Sequence, residues 1–196
     1  MTIQPHDNIS EETIRVWLNE FLGIFGWDVQ NTNQVLQEHV LQGAYRQRLN
    51  EIQSTHRRPD YILKNGTNIK SFLDAKSLDV DIFTDGDAAF QIRSYGWSAQ
   101  SPCAFISNFE QFVICDTRFT PNPSQPANMG AIQLSVDEYI EQFDVLFSHL
   151  WRQSVCSNQL EALYSTARIE GRDRLDEQFA EMLSIARLQI ANNIVE

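Results

Sequence analysis

The sequence predicts an α/β protein with a central mixed sheet flanked by helices and a helical C-terminal appendage. Two observations lead to this fold class. Helical and strand-like patterns alternate over residues 1–150, which favours one sheet with helices on its faces. Residues 151–196 show helical patterns without a strand signal, so we expect them to form the separate appendage.

The first half of the chain predicts a helix, a short strand and a hairpin. Ile14 and Leu18 lie on one face of a predicted helix over Ser10–Gly23. Asn33–Leu41 alternates weakly, which favours a strand and leaves a short helix as the alternative. Tyr45–Thr55 is polar and irregular, and no regular element is expected there. The strand, polar hairpin and strand that follow are Tyr61–Lys64, Lys64–Asn68 and Lys70–Lys76.

The second half predicts one helix, a second hairpin and then helices. Asp87–Ala99 has a helical composition, and Asn108–Glu110 has the residues of a tight turn between two apolar strands. Thr117–Gly130 contains three prolines among Asn and Ser and is expected to be a loop or linker. An amphipathic helix is expected over Ser135–Trp151, opening with a capping box. The remaining predicted elements are the strands Cys103–Ser107 and Gln111–Cys115 and the helices Glu161–Thr166 and Arg172–Asn193.

Composition favours a folded protein without a membrane or secretory segment. The chain has 196 residues, 42% of them hydrophobic, with twelve Phe and four Trp, which is enough for a real core. No apolar run approaches the ~18 residues of a membrane span, and residues 1–8 are polar. The three cysteines lack C-x-x-C spacing, so we expect reduced, mostly buried thiols in a cytoplasmic protein.

Charge is distributed unevenly along the chain. The net charge is −11, yet Gly43–Lys76 carries seven cations against three acids, whereas residues 137–196 carry eleven acids against five arginines. The basic segment suits a phosphate backbone, although a solvated mixed-charge surface is the alternative. The acidic remainder implies that tight DNA binding is supplied by something outside these residues.

Three charged residues on the first predicted hairpin suggest a hydrolytic site. Asp74 and Lys76 are two residues apart on a strand, so their side chains leave the same face. Asp60, at the head of the paired strand, can lie beside them. Two carboxylates hold Mg²⁺ through oxygen ligands, and a lysine can orient or activate a water for phosphodiester hydrolysis. The alternative is that these short patterns occur by chance.

Glu11 and a second pair of residues extend this set. Glu11 shares the helix face of Ile14, so it can reach the sheet edge as a further metal or water ligand; the alternative is a first-turn acid that stabilises the helix dipole. Glu12 points away from that face. Gln91 and Tyr95 are neighbours on one helix face and can hydrogen-bond a phosphate or the catalytic side chains. A solvent-facing Gln91 beside a half-buried Tyr95 is the alternative.

In this order and spacing the motifs resemble the PD-(D/E)XK nuclease superfamily. The residues are Glu11, Pro59-Asp60, Asp74-Ala75-Lys76 and Gln91-x-x-x-Tyr95. They are most similar to the N-terminal nuclease domain of type IIG restriction–modification enzymes and to the related domain of type I restriction subunits. The resemblance covers about Ser10–Asp116, with Asp74 where many members have Glu.

The resemblance implies a site, a cofactor and partners. It implies Mg²⁺, with Mn²⁺ able to substitute, held by Asp60, Asp74 and the Ala75 carbonyl, with Glu11 as an outer or second-metal ligand. It implies Lys76, Gln91 and Tyr95 as further catalytic residues of a restriction endonuclease acting on double-stranded DNA. Residues 1–150 would be the endonuclease domain and residues 151–196 a connector towards methyltransferase and specificity regions, in cis or in trans.

Under this resemblance the chain would be a fragment or a separately encoded nuclease, because no methyltransferase motif is visible in it. Two other functions stay open: a repair or junction-resolving nuclease of the same superfamily, and a non-catalytic binding module on the same fold. The presence of Asp60, Asp74 and Lys76 counts against the non-catalytic module. None of the four histidines has a partner pattern, which disfavours a histidine-based nuclease.

Overall fold

The computed structural model describes residues 9–164 and confirms the α/β class with a mixed sheet and flanking helices. The chain divides into two units, residues 1–158 and 159–196. In the first unit the helices are α1 (Glu11–Ile24), α2 (Gly43–Glu51), α3 (Gly86–Ser98), α4 (Phe143–Leu150) and α5 (Arg152–Cys156). Its strands are β1 (Val35–Gln37), β2 (Tyr61–Asn65), β3 (Asn68–Ala75), β4 (Cys103–Ser107), β5 (Gln111–Asp116) and β6 (Ala131–Ser135).

The described strands form one sheet in chain order, β1-β2-β3-β4-β5-β6. Strands β3 and β4 are parallel, and all the other neighbouring pairs are antiparallel. A parallel pair needs a crossover connection, and α3 supplies it between β3 and β4. The register pairs Ala75 with Ser107, so the carboxyl ends of β3 and β4 meet at one edge of the sheet. Asp60 directly precedes β2, which brings it to the same edge.

Alternation along the strands separates the two faces of the sheet. On one face, Ile62 and Phe72 belong to a buried cluster with Ile92 and Tyr95 of α3. The residues between them face α1, where the Tyr61 hydroxyl donates to a main-chain carbonyl of that helix. Because side chains two apart share a face, Asp74 and Lys76 lie on the α3 side. The sheet thus places its acidic strand ends between α1 and α3.

The strands and helices around the predicted site confirm the prediction closely. α1 begins one residue after Ser10, whose hydroxyl accepts from the Thr13 N–H as an N-cap. The predicted hairpin joins β2 and β3, with Gly66 at φ +62° in its turn. β4 and β5 form the predicted second hairpin. The weak pattern of Asn33–Leu41 is a strand, although only Val35–Gln37 of it is regular.

Two expectations about the elements are wrong, and one strand was missed. Tyr45–Thr55 is not irregular, because α2 covers most of it; α2 buries only Leu49 and therefore lacks a clear apolar stripe. β6 had no prediction, since as an edge strand it buries only Leu134. Ser135–Trp151 is not one helix: its capping box caps a 3₁₀ turn, Val136–Glu138, and α4 begins only at Phe143.

The proline-rich segment is a loop, as one of its two interpretations predicted, and it is fixed to the core. The Arg93 guanidinium donates to the carbonyls of Pro126, Ala127 and Met129, at distances of 2.6 to 3.2 Å. A buried arginine needs such acceptors, so Thr117–Gly130 is part of the first unit and not a linker between units.

Several other expectations concern the termini and the cysteines. None of the three cysteines forms a disulfide, and Cys103 and Cys115 are buried, as predicted. Within residues 9–164 no helix is both long and apolar enough to cross a membrane. In the second unit, residues 159–164 are helical. The predicted helix Arg172–Asn193 and the end of Glu161–Thr166 lie outside the described residues, and the division into endonuclease domain and connector stays a prediction.

Candidate active site

Asp60 and Asp74 meet at the edge of the sheet where β2 begins and β3 ends. The Asp60 main-chain N–H donates to Asp74 Oδ1 at 3.2 Å, and Asp60 Oδ2 accepts from the Ala75 N–H at 2.8 Å. Their side chains are only 12% and 3% exposed. The predicted convergence of these two carboxylates is therefore present, and the main chain fixes both of them.

The two carboxylates perturb each other because they carry like charges in a partly dry place. Burial and the repulsion from Asp74 raise the pKa of Asp60 to about 6, although the Ala75 N–H and Arg15 stabilise its charged form. The negative charge of Asp60 and Asp74 is therefore not fully neutralised by the neighbouring residues. An arrangement of this kind is common at functional sites.

Lys76 completes the predicted triad. Its Nζ donates to Asp74 Oδ2 at 2.9 Å and to Gln91 Oε1 at 3.0 Å. Burial lowers the pKa of Lys76, but the attraction of Asp74 and its hydrogen bond outweigh burial, and the net shift is upward. Lys76 is thus an ammonium at neutral pH, held on two sides by fixed acceptors.

Gln91 and Tyr95 of α3 form the outer part of the same network. The Gln91 Nε2 donates to the Tyr95 hydroxyl at 3.3 Å, while its carbonyl oxygen accepts from Lys76. Tyr95 is 1% exposed, and burial raises the pKa of its phenol. Of the two predicted roles, these contacts match hydrogen bonding to catalytic side chains; the buried Tyr95 is withdrawn from any surface where a phosphate would lie.

The predicted Glu11 reaches the site through a residue that sequence reasoning missed. Arg15 Nη2 donates to Glu11 Oε1 at 2.8 Å and to Asp60 Oδ1 at 2.6 Å. Glu11 is not on the buried face as expected, since its side chain is 43% exposed. Glu12 points outward as predicted, with its carboxylate 3.7 Å from Arg15 Nη1. The spacing of Glu11 and Arg15, four residues apart on a helix, is a signal that could have identified the pair.

Glu38 is the second residue that the sequence did not reveal. Its carboxylate accepts from Arg15 Nη1 at 2.9 Å and pairs with Arg58 at 3.0 Å. Its main chain is held too, because its N–H donates to the Asp60 carbonyl and its carbonyl accepts from Arg58 Nε. Glu38 has a φ of +49°, a strained left-handed conformation for a residue other than glycine. The contacts with Asp60 and Arg58 hold it there.

The basic segment borders this cluster. Arg58 is exposed, whereas Arg57 is fixed to the carbonyls of Ser54 and His56 and to the Asn50 side chain. His56 is half-buried; burial lowers its pKa, against the attraction of Asp74, so its imidazole is neutral. The cations with ion pairs in this cluster are therefore Arg15 and Lys76, which pair with Asp60 and Asp74, and Arg58, which pairs with Glu38.

The donor set suits a divalent cation. Ion pairs at this edge join five carboxylates, those of Glu11, Glu12, Glu38, Asp60 and Asp74, to three cations. The excess of two negative charges and the oxygen donors match a hard dication. Within residues 9–164, no three His, Cys, Asp or Glu side chains form a set that could hold a metal ion together. Main-chain, water or phosphate oxygens would have to complete a shell around Asp60 and Asp74.

Comparison with known proteins points to restriction enzymes. In an alignment of 189 positions that covers 92% of the chain, it is 28% identical to an Escherichia coli protein described as "Type II restriction enzyme and methyltransferase RM.Eco57I". The chain spans 18% of the length of that relative. No protein-family model and no solved structure matches the chain. The similarity supports a distant relationship to restriction enzymes.

Proposed function

We propose that this chain carries the Mg²⁺-dependent DNA endonuclease activity of a restriction–modification enzyme and hydrolyses phosphodiester bonds of double-stranded DNA. One observation carries the proposal: Asp60, Asp74 and Lys76 converge at one edge of the sheet, linked by hydrogen bonds of 2.9 to 3.2 Å. The similarity to a type II restriction enzyme and methyltransferase supports the same class of protein.

The acidic pair would hold the metal. Asp60 and Asp74 supply carboxylate oxygens, the main-chain carbonyl of Ala75 is a proposed further ligand, and Glu11 is a proposed outer or second-metal ligand. A bound Mg²⁺ supplies Lewis-acid polarisation of the phosphate and a bound water of lowered pKa. The hydrogen bond from the Ala75 N–H to Asp60 fixes one carboxylate before any ion arrives. This preorganisation is what a catalytic constellation requires.

Lys76 is assigned the stabilisation of developing negative charge. An ammonium has three N–H donors, and two of them are directed at Asp74 and Gln91. The third is left for the attacking water or a phosphate oxygen. A positive charge held in this way acts on the transition state without having to reorient.

Gln91 and Tyr95 are positioning residues in this proposal. The Gln91 amide uses its oxygen for Lys76 and its nitrogen for Tyr95, so the phenol fixes which way the amide faces. That orientation in turn fixes the lysine. Both side chains act through Lys76 and need no contact with DNA.

Sequence recognition is assigned to other regions. Exposed Arg58 and the neighbouring basic residues can contact phosphates, which position a protein on DNA without specifying a sequence. We therefore propose that methyltransferase and specificity regions, in cis or in trans, direct this nuclease to its site. The relative of this chain in Escherichia coli is described as both a restriction enzyme and a methyltransferase.

The proposal is tested by nicking of supercoiled plasmid by the 196-residue chain with Mg²⁺ or Mn²⁺. Asp74→Asn should lower the nicking rate at least ~100-fold, because it removes a charged ligand while keeping the shape of the side chain. The variant should remain folded, since it also removes a repulsion from Asp60.

Asp116→Asn is the matched control. Asp116 is also a partly buried, ion-paired aspartate at a strand end, bonded to Arg118. It pairs with Cys103, at the opposite end of β4 from Ser107 and the site. Its variant should nick like the parent chain. Nicking that survives Asp74→Asn, or that is lost equally in both variants, would remove the site assignment.

A further inference from the structure

One guanidinium lies between two of the proposed metal ligands. The Nη2 atom of Arg15 contacts Asp60 Oδ1 at 2.6 Å and Glu11 Oε1 at 2.8 Å, so it touches both carboxylates at once. Arg15 is 22% exposed, and none of the predicted motifs assigns it a role. Its Nη2 occupies a position between Glu11 and Asp60, where a cation shared by them would be bound.

We propose that Arg15 is an internal counter-ion that competes with a divalent metal ion for Asp60 and Glu11. While Arg15 contacts Asp60, it neutralises that carboxylate. In a metal-ready state Arg15 has left Asp60 and is held by Glu38 and Glu12 alone. This inference rests on the proposed function, because it takes Asp60 and Glu11 as ligands.

Electrostatic repulsion makes Arg15 and a metal ion compete for Asp60. A guanidinium in hydrogen-bond contact with Asp60 uses one of its oxygens and places a positive charge a few ångströms from any ion on the other. The repulsion scales with the product of the charges, so a dication feels it twice as strongly as a monovalent ion. Arg15 therefore lowers the metal affinity of the acidic pair for as long as it stays on Asp60.

The other terminal nitrogen of Arg15, Nη1, already has partners that can hold the guanidinium after it leaves Asp60. Nη1 already contacts Glu38 at 2.9 Å and lies 3.7 Å from Glu12, so two carboxylates remain when Asp60 is lost. Arg15 Nε is buried and has no hydrogen-bond partner among the described residues, so that edge of the guanidinium is not fixed. The planar fork of arginine makes this sharing among several carboxylates possible; a lysine has only a single ammonium.

Calorimetric titration with MgCl₂, without DNA, tests the proposal. Arg15→Gln removes the competing charge and should tighten Mg²⁺ binding by about tenfold, equivalent to ~1.4 kcal/mol. Arg58→Gln is the matched control, because it removes the same charge from another arginine that pairs with Glu38. Arg58 is exposed and has no ion pair with Asp60. Solvent screening should limit its effect to about twofold. Unchanged or weaker binding by Arg15→Gln would overturn the proposal.

A second measurement uses the unmodified chain and does not depend on how the variant folds. In an NMR titration with MgCl₂, the Nε–Hε signal of Arg15 should move with the midpoint found by calorimetry. Arg93, bonded to three loop carbonyls, serves as the internal reference and should stay in place. An Arg15 signal that does not move at saturating Mg²⁺ overturns the exchange of partners.

Asp74→Asn separates this inference from the proposed function. Where this variant binds Mg²⁺ as tightly as the parent chain, the metal site itself is wrong, and the role of Arg15 is overturned with it. Where Asp74→Asn abolishes binding but Arg15→Gln does not tighten it, the metal site stands and only the counter-ion role is overturned.

Discussion

The two ends of α1 have opposite chemistry although they belong to one helix of 14 residues. Its first turns carry Glu11 and Arg15, and Arg15 pairs both with Glu11 and with Asp60 at the candidate site. Its last turns carry Phe21 and Ile24 into an exposed apolar groove of about 430 Å³, shared with residues of the 139–146 segment. One end is organised by ion pairs and the other by aromatic contacts.

The surroundings of the apolar end make the difference informative. Six exposed acids lie on or beside the elements that form this groove: Glu20, Glu110, Asp137, Glu138, Glu141 and Asp144. Residues 16–25, 109–110 and 136–147 contain no lysine or arginine. A phosphate backbone would be repelled there. We therefore expect any contact with DNA at the charged end of α1.

The largest effect is expected at the charged end. Lys76→Ala should lower the plasmid nicking rate at least ~100-fold, because it removes a preorganised positive charge from the reaction. Mg²⁺ binding should be kept or become tighter, since Asp74 loses a competing cation. Calorimetry beside the nicking assay measures both quantities.

Lys64→Ala is the control for this lysine. Lys64 lies at the hairpin end of β2, away from Asp60, and its ammonium donates to the Thr32 carbonyl. Its variant should nick normally. A parallel loss of Mg²⁺ binding and nicking in Lys76→Ala would mean that Lys76 organises the metal site and is not a catalytic group.

The free energy of unfolding should depend on the buried face of α1 and very little on its exposed face. Leu18 is fully buried, so Leu18→Ala should lower the free energy of unfolding by about 2–5 kcal/mol. Ile24 lies on the same helix but is 74% exposed, and Ile24→Ala should change it by less than ~0.5 kcal/mol. Urea denaturation measures both variants. A large fall in the free energy of unfolding for Ile24→Ala would show that other residues of the same chain pack against Ile24.

A smaller effect on the rate is expected from the positioning residues. Gln91→Leu keeps the volume of the side chain but removes the acceptor of Lys76 and the donor to Tyr95. The nicking rate should fall about tenfold, with Mg²⁺ affinity unchanged, because the lysine keeps Asp74 and loses only its second support. Gln133→Leu, an amide bonded to the Phe83 carbonyl elsewhere, is the control. An equal fall in both variants would contradict the positioning role.

The sequence predicted the part of the site that depends on local geometry. Asp74 and Lys76 followed from the two-residue period of a strand, and Asp60 followed from the hairpin between β2 and β3. The spacing of Glu11 and Arg15 is local, but no pattern links Arg15 to Asp60, 45 residues away, or to Glu38, 23 residues away. The fold brings Arg15 and Glu38 to Asp60, so their place in the site is seen only in the structure.

The same reasoning explains which elements the sequence missed. α2 is polar almost all round, and its packing includes a contact that no periodicity predicts, the Arg48 guanidinium over the Trp97 ring at 4.3 Å. β6 lies at the sheet edge and has too few buried residues to show alternation. Both elements bury few residues, whereas α3 buries eight residues and β3 buries five.

The smallest expected effect concerns DNA binding. We expect the 196-residue chain to bind random duplexes weakly, without sequence preference, and with an affinity that falls as salt rises. Arg58→Ala should weaken binding only a few-fold and reduce the slope of log affinity against log salt by about one, because exposed Arg58 contacts a phosphate in this proposal.

Ile140→Arg adds a cation at the apolar, acidic end, where Ile140 is 89% exposed. Its slope should equal that of the parent chain, since no phosphate is expected near it. A gel-shift series at several salt concentrations decides between the ends. A steeper slope for Ile140→Arg, or an unchanged one for Arg58→Ala, would place DNA elsewhere. Tight, salt-resistant and sequence-selective binding by the chain alone would instead favour a self-contained endonuclease that reads its own site.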